Sequence, residues 1–395
     1  MPITGLQDVT VVYAKGGTAL TEVSLSAEQG EIMAVLGPSG SGKSTLLRAL
    51  AGLVPIRHGE IFIAGRRVTE VPVEQRRVAM VFQSDTVLPF LDVSENLGWG
   101  LEIRRVPGAE IRERVESQAR GLRLSRLLRR MPKTLSSGEL SRVGIGHALV
   151  HAPSVFLFDE PLAHLDAGQR VQVRRRIVEV VRKLEVSTFY VTHDQGEALG
   201  IADRVALLNA GRIVQVGPPA ALYDRPVNLF AAGFVGTPTI GLLPARLVIS
   251  GWAGSGGAGG FRVGARTLPL WAPLPSALAA LADREVVIGI RPERVHDARR
   301  GSDPSVVTLP ATVVRVEEVG PDAVVTLEVA APAVTAPGTH PEETGRAGSG
   351  RAWLRSRFAR GTTVRVGETV PIAVDVTAVH VFDPLTGRAL WHPER

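Results

Sequence analysis

The chain has no cysteine, so disulfides, thiolate metal sites and a cysteine nucleophile are all excluded. Aromatic residues are few, 5% of 395, and they are not interleaved with the basic residues as base stacking on single-stranded nucleic acid requires. No window approaches the ~18–20 uninterrupted apolar residues of a membrane-spanning helix. The opening Met1-Pro2-Ile3-Thr4-Gly5-Leu6 lacks a basic segment followed by an apolar run, so no signal peptide is visible. These absences predict a cytoplasmic protein whose contact with a membrane comes only through a partner.

The 45% hydrophobic content is that of a soluble globular protein, and the length predicts two or three domains of about 100–200 residues each. A net charge of +6 and a pI near 10.2 invite a nucleic-acid reading. The basic residues are scattered, however. The nearest thing to a block, Arg174-Arg175-Arg176, sits in an amphipathic segment and is expected to be a solvated helix face, so no nucleic-acid partner is expected.

The chain is organised around Gly37-Pro38-Ser39-Gly40-Ser41-Gly42-Lys43-Ser44-Thr45. It follows the apolar run Ile32 to Leu36 and leads into the helix-like Leu46 to Leu50, the context that makes this spacing a phosphate-binding loop. The glycines let successive backbone N–H groups turn inward onto polyphosphate oxygens, and a helix starting at Lys43 adds its positive dipole end. Lys43 supplies a point charge for the β- and γ-phosphates, and the Ser44 hydroxyl is a hard ligand for Mg²⁺. The spacing predicts a nucleoside triphosphate as ligand.

Upstream, Thr4 to Ser26 alternates apolar and polar residues around Lys15-Gly16-Gly17 and reads as strands joined by a turn. Tyr13, the aromatic there, either stacks on a base or packs in a strand core. Gly59 to Gly65, Val78 to Gln83, Val155 to Phe158, Thr188 to Thr192, Val205 to Leu208 and Gly211 to Gly217 read as strands. Residues 93–152 carry helical periodicity, and Val171 to Leu184 reads as an amphipathic helix. Strands alternating with helices predict a mostly parallel α/β sheet. From about residue 245 short β-like runs dominate, which predicts a small all-β, barrel-like domain. Ser250 to Gly260 and Ala330 to Gly350, rich in Gly, Ala and Pro, are expected to be loops.

Asp159-Glu160 ends the strand Val155 to Phe158. Beside a phosphate loop such an Asp reaches Mg²⁺ directly or through water, and the adjacent Glu is placed to polarise an attacking water. His193 follows another strand and can point at the γ-phosphate. Gln83 ends a further strand and can orient the water or ligate Mg²⁺.

Leu135-Ser136-Ser137-Gly138-Glu139 then resembles the signature of ATP-binding cassette (ABC) ATPases. The order Tyr13, loop 37–45, Gln83, signature, Asp159-Glu160, Leu165-Asp166, His193-Asp194 matches that family over about residues 4 to 240. The resemblance implies a P-loop NTPase cassette over 1–238, with a RecA-like α/β core and a helical subdomain over about 86–153. A small all-β, OB-like (TOBE/MOP-type) regulatory domain over 239–395 would follow. It implies ATP and Mg²⁺ as ligands, Tyr13 stacking on adenine, Glu160 as base and His193 as γ-phosphate sensor. Two copies would pair head to tail, so that Ser136, Ser137, Gly138 and Glu139 of one face the triphosphate of the other, with Asp166 beside them. Ser137 stands where the family has its first signature glycine, and His147 where it commonly has Arg.

Thr192 to Leu199, Tyr223 to Gly236, Gly289-Ile290-Arg291-Pro292-Glu293 and Val381 to Arg388 are similar to the carbohydrate importer group (maltose, trehalose and glycerol-phosphate type). This implies a peripheral ATPase on the cytoplasmic membrane face that works with two integral-membrane permease subunits. An extracytoplasmic solute-binding protein would act indirectly, and a regulatory partner could meet the C-terminal domain. Importers of polyamine, ferric ion, sulfate or molybdate, and soluble ABC ATPases that do not transport, are the alternatives.

Overall fold

A computed structural model describes residues 4–13, 16–82, 87–151, 153–250, 258–270, 276–300, 307–320, 322–334, 351–359 and 362–393. The chain divides into two compact units, Met1–Pro219 and Ala220–Arg395, a division that falls earlier than the junction expected after residue 238.

The first unit opens with β1 (Thr4–Val12) and β2 (Thr18–Ala27), an antiparallel pair. Its turn is closed by Tyr13 N–H on the Gly17 carbonyl at 2.9 Å and Gly16 N–H on the Tyr13 carbonyl at 2.8 Å. Next come β3 (Ile32–Leu36), α1 (Lys43–Ala51), β4 (His58–Ile63), β5 (Arg66–Arg67) and β6 (Val78–Val81). The helical stretch follows as α2 (Val93–Ile103), α3 (Gly108–Gly121) and α4 (Ser137–Val150). The unit ends with β7 (Val155–Asp159), α5 (Ala167–Leu184), β8 (Ser187–Val191), α6 (Gln195–Ile201), β9 (Arg204–Asn209) and β10 (Arg212–Gly217).

Among the described residues two sheets form here, an antiparallel one in the order β2-β1-β4-β5 and a six-stranded one in the order β10-β9-β3-β8-β7-β6. The second is parallel except where β10 meets β9. Strands β3, β7 and β8 are buried throughout, which is why they read as unbroken apolar runs rather than alternating ones. Alternate side chains still serve different cores. Ile32, Phe156, Phe158 and Tyr190 pack with Leu97, Val115, Val143 and Ile177 of the helices. Met33, Leu157, Phe189 and Val191 pack with Leu46 and Leu50 of α1 and with Leu6, Val23 and Ile61 of the antiparallel sheet.

The helices α2 and α4 both begin with reciprocal capping boxes, Asp92 with Glu95 and Ser136 with Glu139, which satisfy first-turn donors. The arginine run departs from its expected role. Arg175 is exposed, but Arg176 reaches α3, donating to the Gln118 side-chain oxygen at 3.0 and 3.2 Å. A long guanidinium can bridge two helices where a solvated face was expected.

In the second unit, α7 (Pro219–Asp224, beginning one residue before the division) and α8 (Leu229–Phe234) precede the strands. These are β11 (Gly241–Ser250), β12 (Ala258–Val263), β13 (Arg266–Leu270), then α9 (Ser276–Ala279), β14 (Glu285–Ile290), β15 (Val295–Asp297) and β16 (Val307–Val319). Then follow β17 (Asp322–Val329), β18 (Ala352–Ala359), β19 (Thr369–Val374), β20 (His380–Phe382) and β21 (Ala389–Trp391). Among the described residues they sort into two sheets, β13-β12-β11-β14-β20-β21 and β15-β19-β16-β17-β18. Leu247, Phe261 and Ile288 of one sheet and Val313, Val325 and Ile372 of the other share a single core.

Arg291 explains why residues 223–235 belong to this unit. Its guanidinium donates to the carbonyls of Val235 and Tyr223, both at 2.6 Å, and of Ala232 at 3.2 Å, and lies 3.9 Å over the Tyr223 ring. Of the expected loop Ser250 to Gly260, Ser250 and Ala258 pair as strand partners of β11 and β12. Residues 251–257, like 335–350 of the other expected loop, lie outside the described residues.

Candidate nucleotide site

Strand order assembles the site. With β3 between β9 and β8, and β8 beside β7, the segments leaving the carboxyl ends of three neighbouring parallel strands meet at one edge. Ligands of open α/β sheets bind at such an edge. Loop 37–45 leaves β3, Asp159-Glu160 ends β7, and Thr192-His193 follows β8.

Helix α1 has no side-chain cap and no acidic residue in its first turn, so its first backbone N–H groups are left for an anion. Gly42 precedes it with φ 106°, a conformation side chains resist. A Cβ there would stand 2.6 Å from the Ala19 carbonyl oxygen. Lys43 is buried, and its ammonium donates to the carbonyls of Gly37 and Pro38, both at 2.8 Å. Burial lowers its pKa from the ordinary value, while Glu160 and Asp159 act the other way. The Ser41 hydroxyl is buried in the same loop with no partner among the described residues. An unsatisfied polar atom beside free helix donors fits a polyphosphate.

Ser44 Oγ donates to Asp159 Oδ1 at 3.0 Å. Burial raises the Asp159 carboxyl above its usual value, with the Ser44 hydrogen bond opposing. A hydroxyl and a carboxylate at this separation are hard oxygen donors and fit Mg²⁺. Gln83, the other candidate metal ligand, lies outside the described residues, as do Ser84 to Thr86.

Glu160 sits at φ 49°, a left-handed conformation that costs a non-glycine residue free energy, and its N–H donates to the Val191 carbonyl at 2.9 Å. His193 Nδ1 lies 3.1 Å from Glu160 Oε2; the His193 side chain is 67% exposed and that of Glu160 17%. The candidate base and the candidate sensor, drawn from different strands, are therefore in contact. Tyr13 is exposed beside the loop rather than buried in a strand core, its hydroxyl 2.7 Å from Thr45 Oγ1.

The signature residues begin α4. Ser136 N–H donates to Glu139 Oε2 at 2.8 Å and Glu139 N–H to Ser136 Oγ at 3.3 Å. The backbone bond from Ser136 holds the Glu139 carboxyl below its ordinary range. Ser136 and Ser137 are exposed, whereas Gly138 is buried. A Cβ on Gly138 would stand 2.9 Å from the Gln169 side-chain oxygen and 3.5 Å from Leu165. Asp166 caps α5, accepting from Gln169 N–H at 2.8 Å.

One group had gone unnoticed in the sequence. Glu197 accepts from Thr192 Oγ1 at 3.1 Å and from the hydroxyl of fully buried Tyr190, anchoring the strand end that carries His193. The Asp194-x-x-Glu197 spacing, a helix-start pattern, was the available signal.

The ABC transporter family matches residues 20–163. The chain is 40% identical over 382 residues to the sn-glycerol-3-phosphate import ATP-binding protein UgpC of Chromohalobacter salexigens, covering 95% of this chain and 94% of that protein. It is 39% identical over 394 residues to the trehalose/maltose import ATP-binding protein MalK of Thermococcus litoralis, covering 98% and 99%. Among solved structures it is similar to a dimeric ATP-binding cassette in a post-hydrolysis state bound to ADP and Pi. That match has a TM-score of 0.51 and 27% identity, and covers 55% of this chain and 98% of that one. The phosphate loop, the strand-end acid pair and near full-length similarity to import subunits agree: the chain belongs to the ABC transporter family, as one of its ATP-hydrolysing import subunits.

Proposed function

We propose that this ATPase works as a head-to-tail dimer on the cytoplasmic face of a membrane, driving uptake of a sugar or sugar derivative through two permease subunits. The relatives named for glycerol-phosphate and for trehalose/maltose import support the solute class. The exposed start of α4 supports the dimer, because Ser136 and Ser137 lie in solvent there, where their hydroxyls would help complete an electrostatic cage around a second copy's triphosphate. Among the described residues no helix is long and apolar enough to cross a membrane, so the permeases carry the solute.

The roles of the residues follow from their chemistry. Lys43 and the free N–H groups of α1 hold the β- and γ-phosphates. Ser44 and Asp159 would hold Mg²⁺, which when bound neutralises charge on those phosphates. Glu160 Oε1 or Oε2 takes a proton from the attacking water, while His193, in contact with Glu160, orients the carboxylate and meets the γ-phosphate. Tyr13 presents its exposed ring to the adenine. Binding drives closure only as far as ATP prefers the closed dimer over the open one.

The contact between His193 and Glu160 beside the Lys43 loop carries this reading. Glu160→Gln keeps the shape but not the basicity. The expected outcome is a loss of turnover of about 100-fold or more, with a dimer that persists in ATP by analytical ultracentrifugation. A variant that hydrolyses as fast as the wild type sinks Glu160 as base.

A further inference from the structure

Two helices start beside the nucleotide site, each capped by an aspartate. Asp166 caps α5, and Asp194 caps α6 by accepting from Glu197 N–H at 3.0 Å. Among the described residues, two arginines of α5 approach α6. Arg170 Nε donates to the Leu165 carbonyl at 2.9 Å, and Arg170 Nη1 lies 3.6 Å from Asp194 Oδ2. Asp194 therefore spends Oδ1 on its own helix and turns Oδ2 toward Arg170. One turn further along α5, Arg174 meets the other end of α6, where a Cβ on Gly200 would come within 3.1 Å of Arg174 Nη1. The two arginines approach α6 at its start and near its end, and residue 193 is the one immediately before the capping aspartate.

We propose that Arg170 is a positioning residue that couples the Leu165–Asp166 loop to His193. Its fork holds the loop carbonyl with one nitrogen and faces the cap of α6 with another, so one planar group reaches both elements. Displacement of the loop carries the start of α5, Arg170 moves with it, and Asp194 draws the His193 backbone relative to Glu160. The proposal rests on the dimer reading above, in which the loop beside Gly138 lies at the face that meets the second copy. Each site would then sense, through Arg170, whether its partner is seated. Arg170 and Asp194 are both about two-fifths exposed, so their pairing adds little to stability. What it fixes is geometry.

That separation makes the idea testable on the full-length chain. Arg170→Met removes both donors. Asp194→Asn keeps a cap acceptor but removes the charge that faces Arg170. Each variant is expected to lower kcat about tenfold, since misplacement of a catalytic group by a fraction of an ångström is enough. The KM for Mg·ATP should stay within about twofold, and the melting temperature of Asp194→Asn, which loses only the exposed pairing, should stay unchanged. The double variant should be no slower than Arg170→Met alone, because the Asp194 charge has no partner left to lose once Arg170 is gone. An Arg170→Met chain as active as the wild type, losses that multiply in the double variant, or a kcat loss that tracks a fall in melting temperature would each overturn the proposal. A wild-type chain that turns over ATP without ever forming an ATP-dependent dimer would instead overturn the dimer reading, and the proposal with it.

Discussion

At the residue scale the site runs on groups held away from their preferred states. The Lys43 ammonium is buried against two carbonyls instead of water, a placement that favours anion binding once phosphate oxygens replace the missing solvent. Lys43→Met is expected to raise the KM for Mg·ATP by at least about tenfold, roughly 1.4 kcal/mol, while circular dichroism stays native. Glu160 keeps a left-handed backbone at φ 49°. Glu160→Gly should therefore be more stable than Glu160→Ala by about 1 kcal/mol, although both lose turnover; urea midpoints and ATPase rates check the two halves separately. Glu160 and His193 were each legible as strand-end polar residues after the phosphate loop. Their contact was not, because nothing in the order of residues says that β7 and β8 lie side by side.

At the element scale α1 shows how much of a site is a helix end. Its start was legible in Gly42-Lys43, since only glycine suits φ 106° beside the Ala19 carbonyl. Gly42→Ala is expected to cost about 1–3 kcal/mol and to weaken nucleotide binding, read by thermal melting and ATP titration. At its other end Gly52 caps the helix at φ 82°, but a second closure was hidden. Buried Arg76 donates to the carbonyls of Ala49 at 3.1 Å and Leu50 at 3.0 Å in the last turn, and to those of Thr69 and Val71 beyond it. Arg76→Met removes a donor from each of these carbonyls, of which that of Ala49 keeps the Gly52 N–H at 3.0 Å, and should cost about 2–4 kcal/mol, measured by urea unfolding. The Arg76-Arg77 pair before a strand gave no such signal, because all four acceptors of Arg76 are contributed by residues outside that pair and the strand it precedes.

At the scale of the whole molecule, two buried imidazoles set a response to acid. Burial first, then His147, lowers His151 to about 4, and burial first, then Arg291, lowers His380 to about 3. Both stay neutral in the folded chain while the unfolded chain takes up protons below about 6.5. The stability they allow is therefore full above that pH and is lost as pH falls from about 6.5 toward the folded values. Each histidine should cost about 1.4 kcal/mol per pH unit in that window. Urea midpoints at pH 7.5, 6.5 and 5.5 should fall for the wild type and fall less steeply for His380→Phe or His151→Phe. One imidazole belongs to each unit, so both are expected to weaken with acid.

The sequence by itself determined the phosphate loop, the strand-end acids, the signature and the switch from an alternating α/β chain to a β-rich one. Glycine placement, apolar period and charge at a strand end are local properties, and each is written in consecutive residues. Only the tertiary structure decided that His193 touches Glu160, that Arg76 closes α1, that Arg170 spans two helix starts, and that Arg291 draws residues 223–235 into the second unit. Each of these is a partnership between residues far apart in the chain. A side chain's type says what it can bond to, whereas strand order and helix packing decide which group stands within about 3 Å of it.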